Sequence, residues 1–139
     1  MNLKPGGKSF LNNDFLLDTT ILIDLFRGGK EANSFLDKLS QEGSLYICPI
    51  VGAEIFSGIR PEELPKVEEF FEAMNWCSIN YKTARRAGLY RRDYQKKGVT
   101  LSISDTLMAA VAVDHSLTLV TNNVRHFPME ELQLIEHPS

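Results

Sequence analysis

Several residue types that would announce a particular chemistry are scarce in this chain. Its 139 residues include two cysteines, Cys48 and Cys77, one tryptophan and three histidines. Two cysteines give no disulfide framework and no zinc-ligand spacing. They read as reduced packing residues in core strands. With no His/Cys cluster, a nitrogen- or sulfur-ligated metal centre is excluded too. No stretch approaches the roughly 18 apolar residues of a membrane span. Met1 to Asn13 carries two lysines without the apolar centre of a secretory signal. Its Pro5-Gly6-Gly7 reads as part of a flexible leader over 1–13, ahead of one domain over 14–137. A cytoplasmic location is the expectation that follows. A strong charge of either sign is also missing: 15 Lys and Arg against 18 Asp and Glu give a net charge of -3. That balance neither requires nor excludes a nucleic-acid partner, because local patches decide binding. Repeats and low-complexity segments are absent.

What the chain does have is three lone acids. Asp18 is the only charge in Phe15-Leu-Leu-Asp-Thr-Thr-Ile-Leu-Ile23. Glu54 is the only one between Leu45 and Ile59, and Asp105 the only one between Val99 and Val113. Acidic residues are seldom fully buried unless paired or bound to metal. Three of them in separate core-forming segments point to a fold that gathers them. Gathered carboxylates repel one another, and a divalent cation relieves the repulsion.

Short apolar runs alternate with segments of helical period. Strands are predicted at Phe15–Leu17, Leu45–Cys48, Trp76–Ile79, Thr118–Val120 and Leu132–Ile135. Helices are predicted at 20–27, 30–42, from Pro49 to about Gly58, and at 64–75, 83–97 and 104–114. Strands alternating with helices predict an α/β domain with a mostly parallel sheet covered on both faces. Ligands bind such sheets beyond the carboxyl ends of the strands. Asp18 follows the first strand, Asn122 and Asn123 follow the fourth, and Glu54 and Asp105 lie on neighbouring helices. Bland roles compete for each acid. Asp18 suits a helix cap, and Asp105 suits a first helical turn. Glu54 is mid-helix with no basic residue three or four positions away, so no local ion pair explains it.

Four segments together resemble the PIN-domain ribonucleases, and among them the VapC-type toxins of toxin–antitoxin pairs. They are Phe15-Leu-Leu-Asp-Thr-Thr-Ile-Leu-Ile-Asp-Leu25, Ala53-Glu-Ile-Phe-Ser-Gly58, Ile103-Ser-Asp-Thr-Leu-Met-Ala-Ala-Val-Ala112 and Leu117-Thr-Leu-Val-Thr-Asn-Asn-Val-Arg-His-Phe127. The resemblance spans roughly Phe15 to Ile135. It implies strand order 3-2-1-4-5 and matches Asp18, Glu54 and Asp105 to the family's metal-binding acids. The family's frequent fourth acid falls at Asn123 here, which removes a negative charge and loosens a second metal site. Thr20 stands where many members have asparagine, and His126 where many have aspartate. RNA cleavage leaving a 5′-phosphate and 3′-hydroxyl is implied, as are a homodimer and a cognate antitoxin lying across the acidic pocket. Helices 30–42 and 64–75 are candidates for the antitoxin groove.

Oxygen-only donors suit Mg²⁺, with Mn²⁺ as the alternative. The expected roles are direct metal contact from Asp18 and Asp105, with Glu54 acting through water or orienting the nucleophile. Thr121 and Asn123 would hydrogen-bond metal waters or phosphate, and Arg125 and His126 would hold substrate phosphate. Arg85, Arg86, Arg91, Arg92, Lys96 and Lys97 make the fifth helix basic, either for phosphate contact or as a solvated face. Asp24 is expected to be secondary or structural, Asp93 and Asp114 solvated, and His115 and His137 on the surface. A receiver-type phosphorylation switch would need an Asp after the third strand, where Ile79-Asn80 supplies none. A catalytically weak PIN scaffold that works by binding a partner is the other alternative.

Overall fold

The computed structural model describes residues 14–137, so the leader expected over 1–13 lies outside the described residues. Five strands form one all-parallel sheet in the order β3-β2-β1-β4-β5. They are β1 (Phe15–Leu17), β2 (Leu45–Ile47), β3 (Asn75–Trp76), β4 (Thr118–Thr121) and β5 (Leu134–Glu136). Six helices connect them: α1 (Thr19–Phe26), α2 (Lys30–Glu42), α3 (Pro49–Gly58), α4 (Leu64–Glu72), α5 (Tyr81–Lys96) and α6 (Ile103–Asp114). The expected order and direction are therefore present.

Strand β1 is the centre of the sheet, pairing with β2 on one side and β4 on the other. Phe15, Leu16 and Leu17 are all buried. An unbroken apolar run is what a strand covered on both faces requires. Complete burial of a leucine side chain contributes about 1.5–3 kcal/mol. Helix α1 turns back through Gly28, whose φ of 82° favours glycine. Gly52 lets α3 approach β3: a Cβ there would meet the Trp76 ring at 2.8 Å.

Caps fix the helix starts and explain where the elements depart from the sequence reading. Asp18 caps α1, a role its position suited, and the helix starts at Thr19, one residue early. Asn80 accepts from the Thr83 N–H at 3.1 Å and starts α5 two residues early. Ser102 caps α6 through the Asp105 N–H. Helix α4 stops at Glu72, short of the expected Asn75, because Asn75 pairs with Tyr46 in the sheet. That moves β3 to Asn75–Trp76 from the expected Trp76–Ile79. Cys48 and Cys77 are buried and free; Cys48 caps α3 and Cys77 directly follows β3. Burial pushes both thiols up, Cys77 to about 11, which keeps them protonated and inert.

Candidate active site

The carboxyl ends of β1 and β4 lie side by side, with Leu17 in register with Val120. Asp18 and Thr121 leave these two strands next to each other. Asp18 is 7% exposed. Its Oδ1 accepts the Thr19 N–H at 2.8 Å, and its Oδ2 accepts the hydroxyls of Thr121 at 2.7 Å and Thr20 at 3.2 Å. The cap and the candidate site are thus one residue. Hydrogen bonds to the ionised form are what allow a carboxylate to stay in so dry a place.

Glu54 comes from α3. It is exposed, which corrects the expectation of burial: Val51, Gly52 and Ile55 take the inward positions, and residue 54 emerges beside them. Its Oε1 accepts the Thr19 hydroxyl at 2.6 Å and its Oε2 the Ser104 hydroxyl at 2.9 Å. Thr19 is the neighbour of Asp18, and Ser104 the neighbour of Asp105. Two hydroxyls therefore hold Glu54 of α3 against the starts of α1 and α6, beside which Asp18 and Asp105 lie.

Asp105 is half-buried in the first turn of α6. Its carboxyl is held above the ordinary range, chiefly by burial and further by the negative charges of Asp18 and Glu54; Ser102 and His126 act the other way. The His126 Nδ1 lies 3.4 Å from Asp105 Oδ2. Thr121 is fully buried and works in two directions, donating to Asp18 and accepting the Asn123 N–H at 2.9 Å. Asn123, Arg125 and His126 are exposed at the mouth beside it. All seven candidate residues fall in this region. Among the described residues, no three His, Cys, Asp or Glu side chains stand close enough to grip one ion together.

Residues outside this group differ from expectation in three places. His137 is buried, not on the surface, with its ring 4.6 Å from that of Phe35. Asp114 is not solvated: its side chain is 7% exposed and takes the Arg86 Nε at 2.7 Å. The basic face of α5 is partly structural, since Arg91 donates to the Leu101 carbonyl at 3.0 Å and Arg92 pairs with Asp93 at 3.3 Å. Arg85 and Lys96 stay exposed, as does His115. Asp24 has a structural role, accepting from Asn122 Nδ2 at 3.4 Å. The sequence reading did not place Thr19 or Ser104 in the site. The signal was a hydroxyl residue flanking each aspartate.

Comparisons with known proteins identify the family and the fold. The PIN domain family matches residues 15–129. Ribonuclease VapC19 of Mycobacterium tuberculosis is 36% identical over 115 residues, covering 82% of this chain and 92% of the relative. A toxin–antitoxin complex from Klebsiella pneumoniae contains a chain 27% identical, with a TM-score of 0.72 over 86% of this chain and 94% of that one. VapBC2 of Rickettsia felis, bound to a DNA fragment from its promoter, shares the fold at 24% identity, with a TM-score of 0.79 over 89% of this chain and 98% of that one. With this fold, this cluster of acids and these relatives, the chain belongs to the PIN-domain family, on its VapC branch.

Proposed function

We propose that this chain is a Mg²⁺-dependent endoribonuclease and the toxin of a toxin–antitoxin pair. The observation that carries the reading is the meeting of Asp18, Glu54 and Asp105 beyond the carboxyl ends of β1 and β4, with Glu54 accepting hydroxyls from the chain neighbours of both aspartates. The donor set is oxygen only, as Mg²⁺ or Mn²⁺ prefers. Mg²⁺ retains several waters and takes only one or two carboxylates directly, so a cluster spaced by hydroxyls suits it. Asp18 and Asp105 are the direct ligands in this reading, and Glu54 acts through water. A divalent cation supplies Lewis acidity and neutralises charge on a phosphodiester.

The remaining steps belong to the chain itself. Asp18 is fixed by three donors and so presents a preorganised carboxylate. Glu54, held by Thr19 and Ser104, orients the attacking water. Thr121 holds Asp18, and its contact with the Asn123 N–H sets the loop carrying Arg125 and His126, which face the substrate phosphate. No covalent nucleophile is required.

The antitoxin reading rests on a groove of about 510 Å³ lined by Leu25, Phe26, Phe70 and Ala73, with Lys30 and Lys66 among its polar residues. It lies where α2 and α4 meet the end of α1, an apolar channel of the kind that receives an amphipathic segment. A homodimer and a cytoplasmic location complete the reading; no helix among the described residues is long and apolar enough to cross a membrane.

Cleavage of structured RNA tests it. Activity should require Mg²⁺ or Mn²⁺, disappear with a chelator and return on adding the metal. Asp18→Asn and Asp105→Asn should each lose at least about 100-fold. Equal cleavage by these variants and wild type would sink the nuclease reading. Asn123, in place of a fourth acid, favours one alternative, a weakly catalytic PIN scaffold acting by binding. That alternative predicts RNA or partner binding with no metal-dependent cleavage. Co-expression with the adjacent open reading frame tests the pairing: a stable complex and relief of growth arrest are expected, and a free monomer without growth effect would count against a toxin.

A further inference from the structure

Beside Thr121 lies a second, polar pocket of about 350 Å³, lined by Asn122, Asn123, Val124, Arg125, His126 and Glu136. That volume is within the roughly 300–1,000 Å³ of small-molecule sites. Two of its walls touch the acidic cluster: the Asn123 N–H bonds Thr121, and His126 lies against Asp105. Its far wall is Glu136, which sits on β5 directly in register with Thr121.

Glu136 is the odd residue. A site that takes a polyanion gains nothing from one more carboxylate beyond the three acids already gathered. Its side chain is exposed, and among the described residues it has neither a hydrogen bond nor an ion pair. The cluster does not include it. A carboxylate facing a polar pocket is, however, a good reader of base edges, because it accepts from two parallel N–H groups. Of the four RNA bases, guanine alone places two such donors, N1–H and the N2 amino group, side by side on one edge. Arg125, at the same pocket, stays with the neighbouring phosphate, and the face of the His126 ring is of the kind used to stack unpaired RNA bases.

We propose that this pocket binds an unpaired guanine flanking the cleaved phosphodiester, with Glu136 reading its Watson–Crick edge. Glu136 is then a specificity-determining residue and not a catalytic one. The proposal rests on the ribonuclease reading above and adds the base that the enzyme selects.

The test uses the full chain with single-stranded RNAs that differ only at positions around the cleaved bond. Wild type should prefer guanine at one flanking position by about 10- to 100-fold in kcat/KM, the discrimination expected of a bidentate contact. Glu136→Gln and Glu136→Ala should abolish that preference and leave the thermal midpoint unchanged, because the residue is exposed. Inosine, which lacks the N2 amino group, should weaken the wild-type substrate and make no difference to Glu136→Ala. Binding of the same RNAs to the Asp18→Asn variant, followed by fluorescence anisotropy, should show the same preference without cleavage. A guanine preference that survives Glu136→Ala, or a wild type with none, overturns the base assignment while the nuclease reading stands. Absence of cleavage by wild type together with absence of RNA binding by Asp18→Asn overturns both.

Discussion

Replacing Thr121 by valine removes one hydroxyl and keeps the side-chain shape. The residue is fully buried, and its hydroxyl donates to Asp18 at 2.7 Å. A hydrogen bond to an ionised group contributes about 1.5–3 kcal/mol. The same oxygen accepts the Asn123 N–H, but Asn123 is exposed and water can replace that contact. Asp18 keeps the Thr19 N–H and the Thr20 hydroxyl, so it is weakened and not orphaned. The expected loss is therefore about 2–3 kcal/mol. For a chain of this size that is a fall in thermal midpoint of about 6–12 °C. Thr121→Ser keeps the hydroxyl, loses one buried methyl and should cost only about 1 kcal/mol. Because Asp18 would no longer be held from the β4 side, kcat should drop about 100-fold in the valine variant, the scale set by a misplacement of about 1 Å. Thermal melts and single-turnover cleavage of the two variants decide the matter. A valine variant as stable as wild type, or a serine variant as impaired as valine, would refute the account.

Two further outcomes follow from charges away from that bond. Asp105 has its carboxyl raised in the folded state, so folding favours its protonated form. The stability this confers is present below the unfolded pKa and lost as pH rises through the folded one. At neutral pH the ionised group is a cost, so Asp105→Asn should melt higher than wild type while losing cleavage, and its advantage should vanish as pH falls through the ordinary carboxylate range. Differential melts across that range check the sign; a variant less stable at neutral pH contradicts it. Arg86→Met leaves Asp114 buried without its partner, and Asp114 Oδ2 already has none among the described residues. Urea unfolding should show a loss of about 3 kcal/mol, largely recovered in the double variant with Asp114→Leu.

The parts of this molecule that were legible in its sequence are those fixed by local pattern. The Phe15–Leu17 run read as a strand, its central place followed from the strand order that the resemblance implies, and an acid directly after it lies at the strand's carboxyl end. Asp105 was readable for the same reason, as an acid in the first turn of an apolar helix. Glu54 was located but misjudged. A sequence run treats every residue in it as equally inward, whereas in α3 the inward positions are Val51, Gly52 and Ile55 and residue 54 emerges beside them. His137 and Asp114 were misjudged because what buries them is distant in sequence: Phe35 for the first, Arg86 for the second. The brevity of β3 was hidden as well, since Asn75 joins the sheet on the strength of β2's pairing and not its own propensity.

The hydroxyls explain how three acids can sit together in a folded protein before any cation is considered. Asp18 takes three donors and Glu54 two, so their charges are largely met by local dipoles. Asp105 is less well met, with only Ser102 and, at 3.4 Å, His126 acting to favour its charge. The least compensated charge in the cluster is therefore the one raised by burial and by its two neighbours. Thr19, Ser104 and Thr121 thus divide the work. Two keep Glu54 between the aspartates, and one holds Asp18 at the end of β4. Asp105 is left as the group whose charge most needs an external positive partner. That asymmetry is why the pH-dependent stability of Asp105→Asn, more than the loss of activity common to all three acids, reports on how the cluster is built.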